Sequence, residues 1–162
     1  MKYVGQQNIK KLCNFYVSDL HLSVMLLPYI SKQINEDVEI TTIFEKIKKE
    51  NIEAILEKMN VKNKNEILKI NWLNNTNEKI KKVLDDSITN NKKVTIIIGG
   101  NEKYVTDNNN YIKDYIKEKN YDVNLKIIDC YNVEEVGINM KSIVKKYDGI
   151  LNTCGETKIS NL

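Results

Sequence analysis

The chain has 162 residues, with 25 Lys and Arg against 22 Asp and Glu and a formal net charge of +3; both signs are interspersed along the helical stretches. That length predicts a single domain spanning 1–162 with a core of its own, and the mixed charge excludes the basic stripe of a nucleic-acid binder. No run approaches the ~20 apolar residues of a membrane span, MKYVGQQNIKK lacks a signal peptide's apolar stretch, and Cys13, Cys130 and Cys154 form no CxxC pair, so a cytoplasmic protein with reduced, mostly buried thiols is expected.

The apolar run Leu12–Val17 meets Ser18 and Asp19, then a stretch with Leu20, Val24, Leu27, Ile30 and Ile34. This reads as strand, N-cap and a helix over Asp19–Ile34, which Pro28 should bend. A nucleotide-binding α/β domain carries its phosphate loop at this junction, with glycines for backbone approach to phosphate and a Lys and Ser/Thr for charge and metal. YVSDLHLSV supplies none of that set. Further strands are predicted at Val38–Phe44, Ile67–Trp72, Val94–Ile98, Val123–Ile128 and, more weakly, Gly149–Leu151. Between them the periodicity predicts helices at Ile47–Met59, Asn77–Thr89, Asn109–Lys119 and Val133–Lys146. The alternation is that of an α/β domain, and Val94–Ile98, apolar or β-branched throughout, marks a central parallel strand.

Ligands of an open parallel sheet bind beyond the carboxyl ends of its strands. That edge should carry Tyr16, Ser18, Asp19 and His21 after the first strand, Glu45 after the second, and Asn71 and Trp72 around the third. Gly99, Gly100, Asn101 and Glu102 follow the fourth strand, and Cys130, Tyr131 and Asn132 the fifth. They form no catalytic set and imply no cofactor. The ligand-binding candidates are Tyr16, Ser18, Asp19, His21, Glu45, Trp72, Gly99, Gly100, Asn101 and Tyr131.

The segment VSDLHL resembles the Asp-x-His opening of calcineurin-like metallophosphoesterases, and Gly99-Gly-Asn-Glu102 echoes their later GNH(D/E). Two metals held ~3.5–4 Å apart need several further His ligands, whereas His21 is the only histidine; an N-capped helix start is the simpler account of the segment. Gly99-Gly100 either brings amides to an anion or marks a tight turn with positive φ, the ordinary role of such a pair. Trp72 either walls a pocket or closes the end of a core. Cys130, with no His or Arg beside it in sequence, reads as a structural thiol.

Lys11-Leu-Cys-Asn-Phe-Tyr16, Leu27-Pro-Tyr29 and Val38–Phe44 stand in order, nearly at the spacing of an HFCQFY-like segment, a (V/A)P(F/Y) element and a strand. Asp129-Cys-Tyr-Asn-Val133 and Met140 to Leu151 follow the outline C(S/T)YPL…EIIDVVxxHxxAL. On these segments the chain resembles a divergent member of the MEDS group, the sensory domain of methanogen and methylotroph regulators. The family's first His is Lys11 here, its later His falls on Tyr147, its Gly after the first helix is Gln33, and the Pro after C-x-Y is missing. The resemblance implies a RecA/KaiC-like three-layer fold with a mostly parallel sheet of about six strands and no P-loop. It also implies a non-enzymatic sensory or regulatory role, with a small organic ligand or a signalling protein as partner. A sensor must bind its ligand better in one conformational state than another, and here its output would pass through a partner or a homodimer interface. The rival readings are a phosphoesterase-like hydrolase using Ser18, Asp19 and His21 with Glu45 or Glu102, and a structural adaptor that takes no small ligand.

Overall fold

The computed structural model describes residues 8–70, 72 and 76–159; the first seven residues and Asn71 lie outside it. In chain order the elements are β1 (Asn8–Tyr16), α1 (Asp19–Asn35), β2 (Glu39–Phe44), α2 (Lys49–Lys58), α3 (Lys64–Lys69) and α4 (Thr76–Asn90). They continue as β3 (Val94–Gly100), α5 (Glu102–Lys119), β4 (Asn124–Asn132), α6 (Val133–Val136), a 3-10 turn (Gly137–Asn139), α7 (Met140–Val144), β5 (Gly149–Asn152) and β6 (Gly155–Lys158). The six strands form one sheet in the order β2-β3-β4-β1-β5-β6. All neighbours pair parallel except β5 and β6, which form an antiparallel hairpin.

Alternation along the strands divides the core into two layers. On one face Leu12, Tyr16, Phe44, Ile97, Ile128 and Leu151 pack with Leu22, Leu26 and Ile30 of α1, Ile52 and Leu56 of α2, and Ile67 of α3. On the other, Cys13, Ile43, Ile96, Ile98, Leu125 and Ile127 pack with Ile80 and Leu84 of α4, Ile112 and Ile116 of α5, Val136 of α6 and Ile143 of α7. Each fully buried aliphatic contributes roughly 1.5–3 kcal/mol relative to exposure, and helices on both faces make the three-layer α/β sandwich. No helix among the described residues is long and apolar enough to cross a membrane.

Three expectations are corrected. Ile67–Trp72 is not a strand. Ile67 belongs to α3, and Trp72 folds back so that its Nε1 donates to the Ile67 carbonyl at 3.1 Å. The sixth strand is instead β6, whose sequence GETK carries no apolar residue. Helix α5 starts at Glu102 rather than Asn109, because the Asn101 side chain accepts the Tyr104 N–H at 2.7 Å and caps it there. The expected helix Val133–Lys146 is broken, with Gly137 at φ 47° ending α6 and opening the 3-10 turn. Pro28 is exposed inside α1, which runs through it.

Candidate functional site

The chain leaves β1 through α1, on one face, and leaves the neighbouring strand β4 through α6, on the other. Adjacent strands that feed opposite faces open a crevice beyond their carboxyl ends, and here those ends are the register partners Tyr16 and Asn132. Ser18, in extended conformation, accepts the His21 N–H at 3.1 Å and caps α1, while Asp19 in the first turn complements the helix dipole. The Val17 N–H donates to His21 Nδ1 at 3.1 Å, so the ring closes the same cap. The Glu45 N–H donates to the Gly99 carbonyl at 2.9 Å. Lys46 lies 3.8 Å from Glu45 and 3.4 Å from Glu135, tying the end of β2 to α6. Burial raises the Tyr16 hydroxyl, and Cys130, Glu135, Asp19 and Glu45 raise it further.

Of the residues singled out from sequence, Tyr16, Asp19 and Glu45 therefore share one neighbourhood with the Ser18–His21 cap, and Gly100 joins it, since a Cβ there would fall 3.1 Å from the Glu45 Cβ. Asn101 is the α5 cap. Gly99 and Gly100 lie within β3, and neither has positive φ. The turn expected for them is replaced by close packing: a Cβ on Gly99 would fall 2.3 Å from Phe44 Cδ1, and one on Gly100 2.6 Å from Tyr104 Cδ1. Trp72 is buried and stacked on Phe44, at 5.9 Å and 11°. Among the described residues no group of three or more His, Cys, Asp or Glu could hold a metal. With His21 Nδ1 occupied by the helix cap, the Ser18–His21 segment has the geometry of a helix start.

The most unusual group, Asp129, is not among the candidates at the strand ends. Asp129 is fully buried on β4, beside Cys13 on β1. Its carboxylate accepts from Tyr147 Oη at 2.5 Å and from Asn109 Nδ2 at 2.9 and 3.0 Å, with Lys11 Nζ at 3.8 Å. The Tyr131 and Tyr147 hydroxyls lie 2.5 Å apart, extending the chain to three groups. Tyr131 also stacks on Phe15 at 5.9 Å, and the Lys11 ammonium lies 5.1 Å from the Tyr147 ring centre. Together with α5 and the Ile143–Tyr147 segment, these residues line a cavity of about 180 Å³.

Burial raises the Asp129 carboxyl above its ordinary value, against the opposing pull of Tyr147, Asn109 and Lys11. The same burial lifts Cys13 to about 12, helped by the Asp129 charge, and raises the Tyr131 and Tyr147 hydroxyls. An acid with a raised folded-state value stabilises the fold below its unfolded value and loses that contribution as pH rises through the folded value. The wild type should therefore fall in thermal midpoint relative to Asp129→Asn as pH climbs above the usual carboxylate range. Parallel melting curves from pH 3 to 7, with a constant difference between the two proteins, would exclude this.

A second cavity, of about 530 Å³, lies between α1 and the β5–β6 hairpin. Its polar wall is Glu156, which accepts from Tyr29 at 2.6 Å, Lys126 at 2.5 Å and Lys10 at 2.8 Å. Burial pushes Glu156 up, but these three donors outweigh it and hold the carboxyl at about 2. The cluster pins the hairpin to the sheet and to α1. Neither Asp129 nor Glu156 could be reached by motif, since their partners come from three separate elements. The available signal was Asp129 itself, a carboxylate continuing the apolar run Val123–Ile128. No family model matches the sequence, and no curated protein matches it.

Proposed function

We propose that this chain is a non-enzymatic sensory or regulatory domain of the cytoplasm, RecA/KaiC-like in architecture and similar to the MEDS group. In this reading it binds a small polar organic ligand toward the carboxyl edge of its sheet, with the Asp129 cavity as the polar anchor and Tyr131 in its wall. The observation that carries the reading is the fully buried Asp129 carboxyl, held by Tyr147, Asn109 and Lys11 from three different elements. Isolated burial of a carboxylate costs several kcal/mol, so a fold that needed only packing gains nothing by placing one on a central strand. A second support comes from the resemblance. The two positions where that family carries His, Lys11 and Tyr147, meet over this carboxylate. Replacing both together keeps a polar site while changing its chemistry from imidazole to ammonium and phenol.

A ligand that entered the cavity would find Tyr131, Tyr147 and Lys11 as donors and the Asn109 and Asp129 groups as their supports. Its binding would reorder the short hydrogen bonds between α5, β4 and the segment after α7. That gives a route from ligand to surface, because the Ile143–Tyr147 segment meets solvent on its outer side. The test is a thermal-shift screen with small organic acids, amines and alcohols, beside ATP with magnesium and divalent metals alone. Stabilisation by an organic compound, diminished in Tyr131→Phe, is expected. Saturable ATP binding with turnover, or a screen in which nothing organic stabilises the protein, would overturn the reading.

A further inference from the structure

We propose that β6 is a homotypic pairing edge: two copies of this chain join antiparallel through Gly155–Lys158 about a two-fold axis at Thr157, so that one sheet continues into the next. The argument starts from which backbone groups of β6 are occupied. The hairpin pairs Gly149 with Lys158, Ile150 with Thr157, Leu151 with Glu156 and Asn152 with Gly155. One rung further on, the Ile159 N–H donates to the Asp148 carbonyl at 3.2 Å. Hydrogen-bonded pairs alternate in an antiparallel ladder, so Gly155 and Thr157 bond inward to β5. The N–H and C=O groups of Glu156 and Lys158 then point outward along the open edge, where no described residue takes them.

The two edges of the sheet differ in this respect. On β2 the Thr42 carbonyl is taken by Lys79 Nζ from α4, one of the ways proteins blunt an exposed edge. On β6 the charges are Glu156, whose carboxylate already accepts from Tyr29, Lys126 and Lys10 of its own chain, and Lys158, and the two share one side of the strand. Those charges repel most pairings and favour one. With the two-fold axis at Thr157, Glu156 stands directly opposite Lys158 of the partner subunit, twice, and opposed side chains in such pairs lie about 4.5–5.5 Å apart at Cβ. The same register makes Glu156 and Lys158 the pair that exchanges both backbone hydrogen bonds, which are the groups each copy leaves free. Moving the axis to Glu156 or to Lys158 sets like charge on like charge, and a parallel arrangement in register does the same.

The strand is four residues long, so the contact belongs with weak, concentration-dependent interfaces below about 1,200 Å². It differs from the proposed ligand site in both place and partner, and it stands or falls independently of that reading. A covalent trap tests it. In a Cys154→Ser background, which removes the exposed native thiol, Thr157→Cys should oxidise to a disulfide-linked dimer at high protein concentration, because the two introduced thiols face each other across the axis. Lys158→Pro removes an outward N–H while leaving the ladder to β5 intact, and adding it should abolish the linkage without lowering the thermal midpoint of the monomer. Sedimentation of the wild type should show dimer increasing with concentration. The proposal is overturned if Thr157→Cys stays monomeric, if Lys158→Pro leaves the linkage unchanged, or if Glu156→Cys links as efficiently, since that position faces Lys158 of the partner subunit and not itself.

Discussion

Trp72→Ala is expected to lower the unfolding free energy by about 3–5 kcal/mol. Only 2% of Trp72 is exposed, and three different parts of the chain meet on it. Its ring stacks on Phe44 at the end of β2, its Nε1 donates to the Ile67 carbonyl in the last turn of α3, and it packs in the layer shared by α1 and α2. Truncation to Ala opens a cavity and leaves a buried carbonyl at Ile67 without its indole donor. Trp72→Phe keeps an aromatic ring against Phe44 but loses the indole donor and part of the ring volume; the Ile67 carbonyl still accepts the Ile70 N–H at 3.2 Å, so the cost should be smaller than that of the Ala variant. Urea unfolding followed by far-UV circular dichroism measures both, because the only tryptophan is then gone. An Ala variant with the wild-type midpoint would mean that α3 is held by other contacts.

Gly99→Ala should cost about 1–3 kcal/mol, from steric overlap alone. The position is extended strand, so the backbone tolerates alanine; the obstacle is the Phe44 ring, whose Cδ1 and Cε1 would lie 2.3 and 2.4 Å from the new carbon. Phe44 cannot yield easily, being 2% exposed and stacked on Trp72. A double-mutant cycle separates this from any other role of the glycine. In a Phe44→Leu background the ring is absent, and most of the Gly99→Ala penalty should vanish. If the two losses simply add, the close approach to Phe44 is not the reason a glycine is needed there.

The parts of the fold legible in the sequence are those where local pattern and tertiary role agree. Leu12–Val17 followed by Ser18-Asp19 reads as strand and capped helix because the cap is a local hydrogen bond, and Val94–Ile98 reads as a central strand because both faces are buried. Ile67–Trp72 misled because a short apolar run does not distinguish strand from helix, and its burial is uneven, with Ile67 and Trp72 enclosed and Leu68 half-buried. The strand β6 was invisible because GETK is held by ladder hydrogen bonds to β5 and by the Glu156 cluster, neither of which leaves an apolar trace. The candidate site follows the same rule. Ser18, Asp19, Glu45 and Asn101 could be placed at one edge from strand ends alone, whereas Asp129 acquires its meaning only when register sets it beside Cys13 and long-range packing brings Asn109 and Tyr147 to it.

The strand order also governs how this protein can be made. β1 precedes the other described strands in synthesis, yet it lies between β4 and β5, with Asn8 paired to Asn124 and Leu12 to Gly149. Both of its hydrogen-bonded neighbours are therefore synthesised after β2 and β3. Until they emerge, β1 has no neighbouring strand to pair with, and among the described strands the pairing of β2 with β3, on which α1 can pack, is the only parallel ladder that can form. Closing the centre of the sheet is thus a late, long-range event, of the kind that slows folding. A nascent chain truncated before Asn124 should engage chaperones through its unpaired β1, while extension through β4 and β5 should switch it to a protease-resistant state in one step.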